Sequence, residues 1–254
     1  ISGKLLPDVA RSLGLSPGIP LVGGGADNAA GAIGNGVIEQ GMIQASIGTS
    51  GTMLMPQTTP NVDTRMSLHT FCHCVDNTWY LMGVILSAGS SLRWARDILN
   101  QSKTYDEMIS EAVKIQPGAD GLLFLPYLSG ERTPHNDPNA RGVFFGLHSA
   151  HSKAHLMRSV MEGICFAMKD SLELINGVVA GASSVRVTGG GARNAAWNQM
   201  QADIYGMTVE VIGSVGGAVY GAAVMGAVGV GVFKSIADAT KNWVRVKYSL
   251  GPNP

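Results

Sequence analysis

The residues best suited to chemistry in this chain lie in three short glycine turns: GGGADN (23–28), IGTSG (47–51) and TGGGARN (188–194). Each follows an apolar, β-like run. Glycine lets a backbone approach an anion closely, and amides left unpaired at such a turn can cradle phosphate oxygens. Thr49 and Ser50 add hydroxyl donors to the second turn. Neither GxxxxGK[ST] nor GxGxxG with its distal acid is present. Any one of these turns is read most simply as a tight turn, but three at strand ends point to a phosphate-bearing ligand. The first turn also carries Asp27, the single acid in LVGGGADNAAGAIGNG. Two roles suit it: the N-cap of the Ala-rich helix that follows, or a carboxylate held at a strand end, in a cleft, to take a proton.

These turns need a scaffold, and the pattern of the chain supplies one. IPLVGG reads as a strand and NAAGAIGNGVI as a helix. MIQASIG and TMLMP flank GTSG as a β-hairpin, and SLHTFCHCV and WYLMGVI are further strands. SSLRWARDILN is an amphipathic helix with Leu92, Ala95, Ile98 and Leu99 assigned to one face, and YDEMISEAVKI is a second, more exposed helix. GLLFLPYL is an apolar strand that leads into the polar loop SGERTPHNDPNARG, then a long helix from His151 to about Ile175. SSVRVTGGG, NAAWNQMQADIYG and TVEVIG alternate strand, helix and strand before a glycine-rich helix. The chain is therefore expected to be α/β, with antiparallel pairs early and β-turn-helix units late.

Composition narrows the function classes. Formal charge is zero and 14% of residues are charged, against about 25% in ordinary domains. That balance excludes an extended nucleic-acid footprint and fits a surface that meets another domain or subunit. Cys72, Cys74 and Cys165 make no disulfide framework, which points to a reducing cytoplasm. In HTFCHC, Cys72, His73 and Cys74 are adjacent, and no CxxC pair exists; a strand whose side chains alternate explains them better than a tetrahedral zinc site. The uncharged stretch from Val211 to Phe233 is long enough to span a bilayer, but seven of its residues are glycine. A small-residue helix packed tightly on a sheet is the better reading, with no membrane role.

Five segments together carry a resemblance: GADNAAGAIGNG, QASIGTSG, SGERTPHNDPNARGVFFGL, GVFFGLHSAHSKAHLMRSVMEG and VTGGGARNAAWNQMQADIYG. Their order and spacing resemble the FGGY family of sugar kinases, and most of all its xylulokinase branch. The most specific match covers Gly142, Phe144, Gly146, Leu147, His155, Leu156, Ser159, Val160, Met161 and Glu162. The resemblance implies an actin-like, ribonuclease-H-like pair of domains closing over ATP, Mg2+ and a pentulose. It assigns Asp27 to the catalytic base and Asn28 to a sugar contact. It assigns Gly48, Thr49, Ser50 and Gly51 to the second phosphate loop, Gly89 of SAGSSLRW to the nucleotide phosphates, and Gly190, Gly191, Ala192 and Asn194 to the turn beside the adenosine. For Glu131, Arg132, His135, Asp137 and Arg141 two readings stand: cleft closure or sugar contact, and a self-bonded loop pinned by Pro134 and Pro138. Glu162 is read as a possible support for a helix packed behind the site.

The resemblance also implies that part of the family's protein is not represented. Residues 1–37 correspond to the end of its N-terminal domain and 38–254 to its nucleotide-side domain, so the isolated chain is expected to be inactive. SVGGAVYGAAVMG lacks the acid many relatives carry before the small-residue helix. A kinase for glycerol, gluconate or ribulose and a non-catalytic actin-like nucleotide-binding module remain as alternatives. A homodimer follows from family analogy alone.

Overall fold

The computed structural model describes residues 1–99, 102–213 and 216–253. Its strands are β1 (Gly3–Lys4), β2 (Pro20–Leu21), β3 (Met42–Ile47), β4 (Gly51–Gln57), β5 (His69–Cys72), β6 (Trp79–Ile85), β7 (Leu123–Leu125), β8 (Val143–Phe145), β9 (Ser184–Gly189), β10 (Val209–Ile212) and β11 (Val246–Leu250). Its helices are α1 (Pro7–Leu13), α2 (Asp27–Gly34), α3 (Gly89–Ile98), α4 (Tyr105–Ala112), α5 (Lys153–Val178), α6 (Ala195–Tyr205), α7 (Gly217–Gly229) and α8 (Ile236–Trp243).

Seven strands form the central sheet in the order β11-β10-β9-β3-β4-β6-β5. β4 is antiparallel to both β3 and β6, while β9 is parallel to β3 and β10 to β9. Thus β3, β6, β9 and β10 share one direction, and their carboxyl ends lie along one sheet edge. Side chains alternate between two cores as a strand period of two requires. Ile43, Ala45, Ile47, Met53, Met55, Leu81 and Ile85 meet α3, α4, α5 and α6 on one face. Leu54, Tyr80, Met82 and Val84 meet α2 on the other, where α7 and α8 pack beside it.

Several expectations need correction. IPLVGG contributes only Pro20 and Leu21, paired with Lys4 and Gly3 outside the central sheet. Pro20 cannot donate to a ladder and the glycines beyond it do not extend one. Of the α3 residues assigned to one face, Leu92, Ala95 and Leu99 turn inward, but Ile98 is 54% exposed. At 100° per residue, Ile98 lies about 120° around the helix from Leu92. The expected end of that helix at Asn100 falls outside the described residues. GLLFLPYL supplies the three residues of β7 before Pro126 ends it, and β7 pairs with β8, a strand the pattern did not reveal. The long helix starts two residues later than read and runs on to Val178, with Ser152 at its cap. The small-residue helix is 13 residues long, and no helix among the described residues is long and apolar enough to cross a membrane.

Candidate active site

The turns after β3, β6 and β9 converge at the shared carboxyl edge, where open α/β sheets bind ligands. Ile47 and Gly189 are register partners, so the 48–51 turn and the 190–192 turn stand side by side. The loop from β6 into α3 is clamped onto the first of them. Gly48 O accepts the amide of Gly89 at 2.8 Å, and Thr49 O accepts the amides of Ala88 and Ser90 at 3.1 Å. A Cβ on Gly89 would come 2.4 Å from Gly48 O, so only glycine permits this approach. The clamp engages Gly89's own amide. It leaves the exposed Thr49 and Ser50, outside any strand, with amides and hydroxyls that have no partner among the described residues.

A cleft of about 480 Å³ opens from these turns. Gly48, Thr49 and Gly89 line its floor, Gly190, Gly191 and Asn194 one wall, and Leu92, Arg93, Tyr105, Asp106 and Ile109 the other. Asn194 caps α6, accepting the amides of Ala196 and Trp197, while its amide nitrogen donates to Asp106 across the cleft at 2.9 Å. Of the residues assigned from sequence, Gly48, Thr49, Gly89, Gly190, Gly191 and Asn194 share this cleft, whereas Ser50, Gly51 and Ala192 lie next to it in the chain without lining it. Sequence reasoning missed Arg93, Asp106, Arg193 and the buried Trp197 as cleft residues. Arg93's place four residues after Gly89, on the same helical face, was the available signal.

Asp27 and Asn28 lie outside this cleft, at the start of α2 on the opposite face of the sheet. The N-cap of α2 is Ala26, not Asp27, and no side chain caps it. Ala26 holds the extended conformation a cap requires, and Asp27 is already the first helical residue. Its carboxylate takes the Asn28 amide at 2.8 Å through Oδ1, leaving Oδ2 without a partner among the described residues. Just before it, the chain passes against Cys74: a Cβ on Gly25 would stand 2.0 Å from the Cys74 sulfur. Tyr80 lies nearby, its phenol pushed upward chiefly by burial, then by Cys74, Asp27 and Cys72. The three cysteines are free thiols.

The polar loop after β7 is built into the sheet edge. β5 pairs with β6 only as far as Met82. Beyond it, the Val84 amide donates to Thr133 Oγ1 and the Leu86 amide to Glu131 Oε1. Thr133 in turn donates to Ser67 O, and Glu131 and Asp137 form an isolated bridge. Arg141 donates to Pro138 O and Ala140 O. Asp137 and Arg141 thus bond within the loop, whereas Glu131 also anchors it to β6. Arg132 and His135 stay exposed, His135 with the Tyr127 hydroxyl at 3.1 Å. Glu162 lies on α5, paired with Arg158 and accepting the Gly118 amide. Of the segment SVGGAVYGAAVMG, Ser214 and Val215 fall outside the described residues.

Comparison with known proteins identifies this arrangement. The C-terminal domain of the FGGY family of carbohydrate kinases matches residues 43–230. The chain is 39% identical over 251 residues to a xylulose kinase of Staphylococcus epidermidis, covering 99% of this chain and 51% of that one. It is 40% identical to a xylulose kinase of Bacillus subtilis, covering 98% and 50%. A xyloylose kinase from Brucella ovis superposes with a TM-score of 0.90 at 31% identity, covering 99% and 51%. The chain thus spans about half the length of the curated relatives it matches. The expected actin-like, ribonuclease-H-like architecture is the one these kinases share. With three quarters of its length matched by that domain and its turns gathered at one sheet edge, the chain belongs to the FGGY family of carbohydrate kinases.

Proposed function

We propose that this chain is the nucleotide-side half of a kinase that transfers the γ-phosphoryl group of MgATP to D-xylulose, giving D-xylulose 5-phosphate. The observation that carries the reading is the cleft at the carboxyl edge, where Thr49 lines the floor beside a wall of glycine and its amide and hydroxyl have no partner among the described residues. Phosphoryl transfer asks a protein mainly for positioning and charge stabilisation, and this turn is suited to both. Gly190, Gly191, Ala192 and Asn194 would hold the adenosine end. Asp27 would take the sugar hydroxyl's proton through its unpartnered Oδ2, with Asn28 holding the carboxylate and contacting the sugar. Because Asp27 stands outside the nucleotide cleft, the sugar would be presented between them by the other half that relatives possess. Residues up to 37 would belong to that half and the remainder to the nucleotide side. Mg2+ would arrive on the nucleotide and neutralise phosphate charge. No cluster of three His, Cys, Asp or Glu side chains among the described residues is placed to hold a metal by itself. The relatives' names favour xylulose over gluconate, glycerol or ribulose.

Calorimetric titration of MgADP into the chain should saturate near one site; a folded sample that gives no heat would sink the nucleotide reading. Joined to the N-terminal half of a relative, the chain should turn over ATP with D-xylulose. Faster turnover with gluconate, glycerol or ribulose would overturn the choice of sugar.

A further inference from the structure

We infer that Arg93 and Arg193 are the cations that grip the polyphosphate arm of the nucleotide, one from each wall of the cleft; this rests on the nucleotide reading above. The glycine turns offer dipoles but no charge, and no lysine lines the cleft. A di- or triphosphate carries several negative charges that Mg2+ only partly offsets. Three charged side chains line the cleft: Arg93, Arg193 and Asp106. Asp106 is turned to the far wall by the Asn194 amide at 2.9 Å.

The two arginines stand differently. Arg93 lies one helical turn after Gly89, on the face of α3 that rises from the phosphate turn. Arg193 directly follows the Gly190–Ala192 turn on the opposite wall. Both are exposed, and neither guanidinium has an ion-pair or hydrogen-bond partner among the described residues. Their neighbour Arg96 shows the contrast: it bonds Asp97 at 3.1 Å and lies over the Tyr105 ring at 4.7 Å. A guanidinium presents a planar fork of donors that matches phosphate oxygens two at a time. Two such forks on the lining of one cleft, beside its glycine turns, would form a phosphate clamp.

The test is calorimetry on the full chain with three probes: MgADP, adenosine and inorganic phosphate. Because both side chains are solvent-exposed, Arg93→Met and Arg193→Met should fold as the parent does, checked by circular dichroism. Each should weaken MgADP binding by roughly ten- to hundredfold, the loss of a charge-assisted contact, while adenosine binding stays within about twofold. The double variant should also flatten the salt dependence of MgADP binding. If the parent binds MgADP and the double variant binds it equally well, the clamp is overturned while the nucleotide site stands. An equal loss of adenosine binding would also overturn it, placing the arginines at the base end. A parent that binds neither MgADP nor adenosine overturns the nucleotide reading and the clamp together.

Discussion

A Cβ built on Gly221 would stand 1.7 Å from the carbonyl oxygen of Ala30. Helices α7 and α2 therefore touch backbone to backbone, and the helix that begins with Asp27 has no room to shift at this point. Alanine normally favours a helix over glycine by about 1 kcal/mol, but here the added methyl meets main chain that cannot move aside. Gly221→Ala should lower stability by about 3 kcal/mol or more. Gly226→Ala, in the same helix with nothing within 4 Å, should raise it by about 0.5–1 kcal/mol. Denaturant unfolding of both variants checks this, and shifts of the same sign would refute the backbone contact.

Asp27→Asn separates catalysis from nucleotide binding. The carboxylate is proposed as the base yet lies outside the cleft. In the joined kinase, turnover should fall by roughly 10²- to 10⁴-fold, while MgADP affinity of the chain should hold within about twofold. A matching loss of MgADP affinity would mean that Asp27 belongs to the nucleotide site.

Glu131 predicts a pH dependence. It is 1% exposed, its Oε1 accepts the amides of Leu86 and Arg132, and its Oε2 is buried without a partner among the described residues. Burial raises its pKa above the ordinary carboxylate value, against the opposing pull of those two amides and of the Arg132 charge. A raised acid binds more protons folded than unfolded, so its contribution to stability falls as pH rises from the ordinary value through the raised one. Glu131→Gln should remove that slope, read from denaturation midpoints between about pH 4 and 8. Glu131→Ala should cost about 1–3 kcal/mol by leaving the Leu86 amide unpaired. Parallel pH curves for the parent and Glu131→Gln would disprove the assignment.

Arg158 and Glu162 form a buried pair at 2.5 Å, their side chains 9% and 6% exposed, and Glu162 Oε1 also accepts the Gly118 amide at 3.0 Å. Glu162→Ala strands a buried guanidinium and should cost about 3–5 kcal/mol. Replacing both residues by Met should cost clearly less than that single change, because it leaves no unpaired charge in the core. A double-mutant cycle measures the difference, and additive losses would show that the pair is uncoupled.

Much of the scaffold was legible because burial imposes periodicity. Ile43, Ala45 and Ile47 face one core while the residues between them face the other way, so the alternation in MIQASI could be read directly. The helix read in NAAWNQMQADIYG is α6, which the structure caps with Asn194 and ends at Gly206. Ile98 misled because an apolar residue near a helix end satisfies a loose pattern without facing the core. Of the two roles open to Asp27, the cap falls to Ala26, because a cap depends on one residue's dihedral angles, which the neighbouring chain sets.

The sequence by itself determined the kinds of element, the three glycine turns and the family to which they belong. These are local matters: side-chain period, backbone freedom and short-range spacing act within about a dozen residues. Only the tertiary structure decided that Ile47 and Gly189 are register partners, which sets two of the turns side by side, while Asp27 stands apart from both. Only it brought Arg93 and Arg193 to the lining of one cleft and closed β6's edge with Glu131 and Thr133. Such neighbours are separated by tens of residues or more, and they meet because strand pairing and the burial of two sheet faces leave the chain no other compact arrangement.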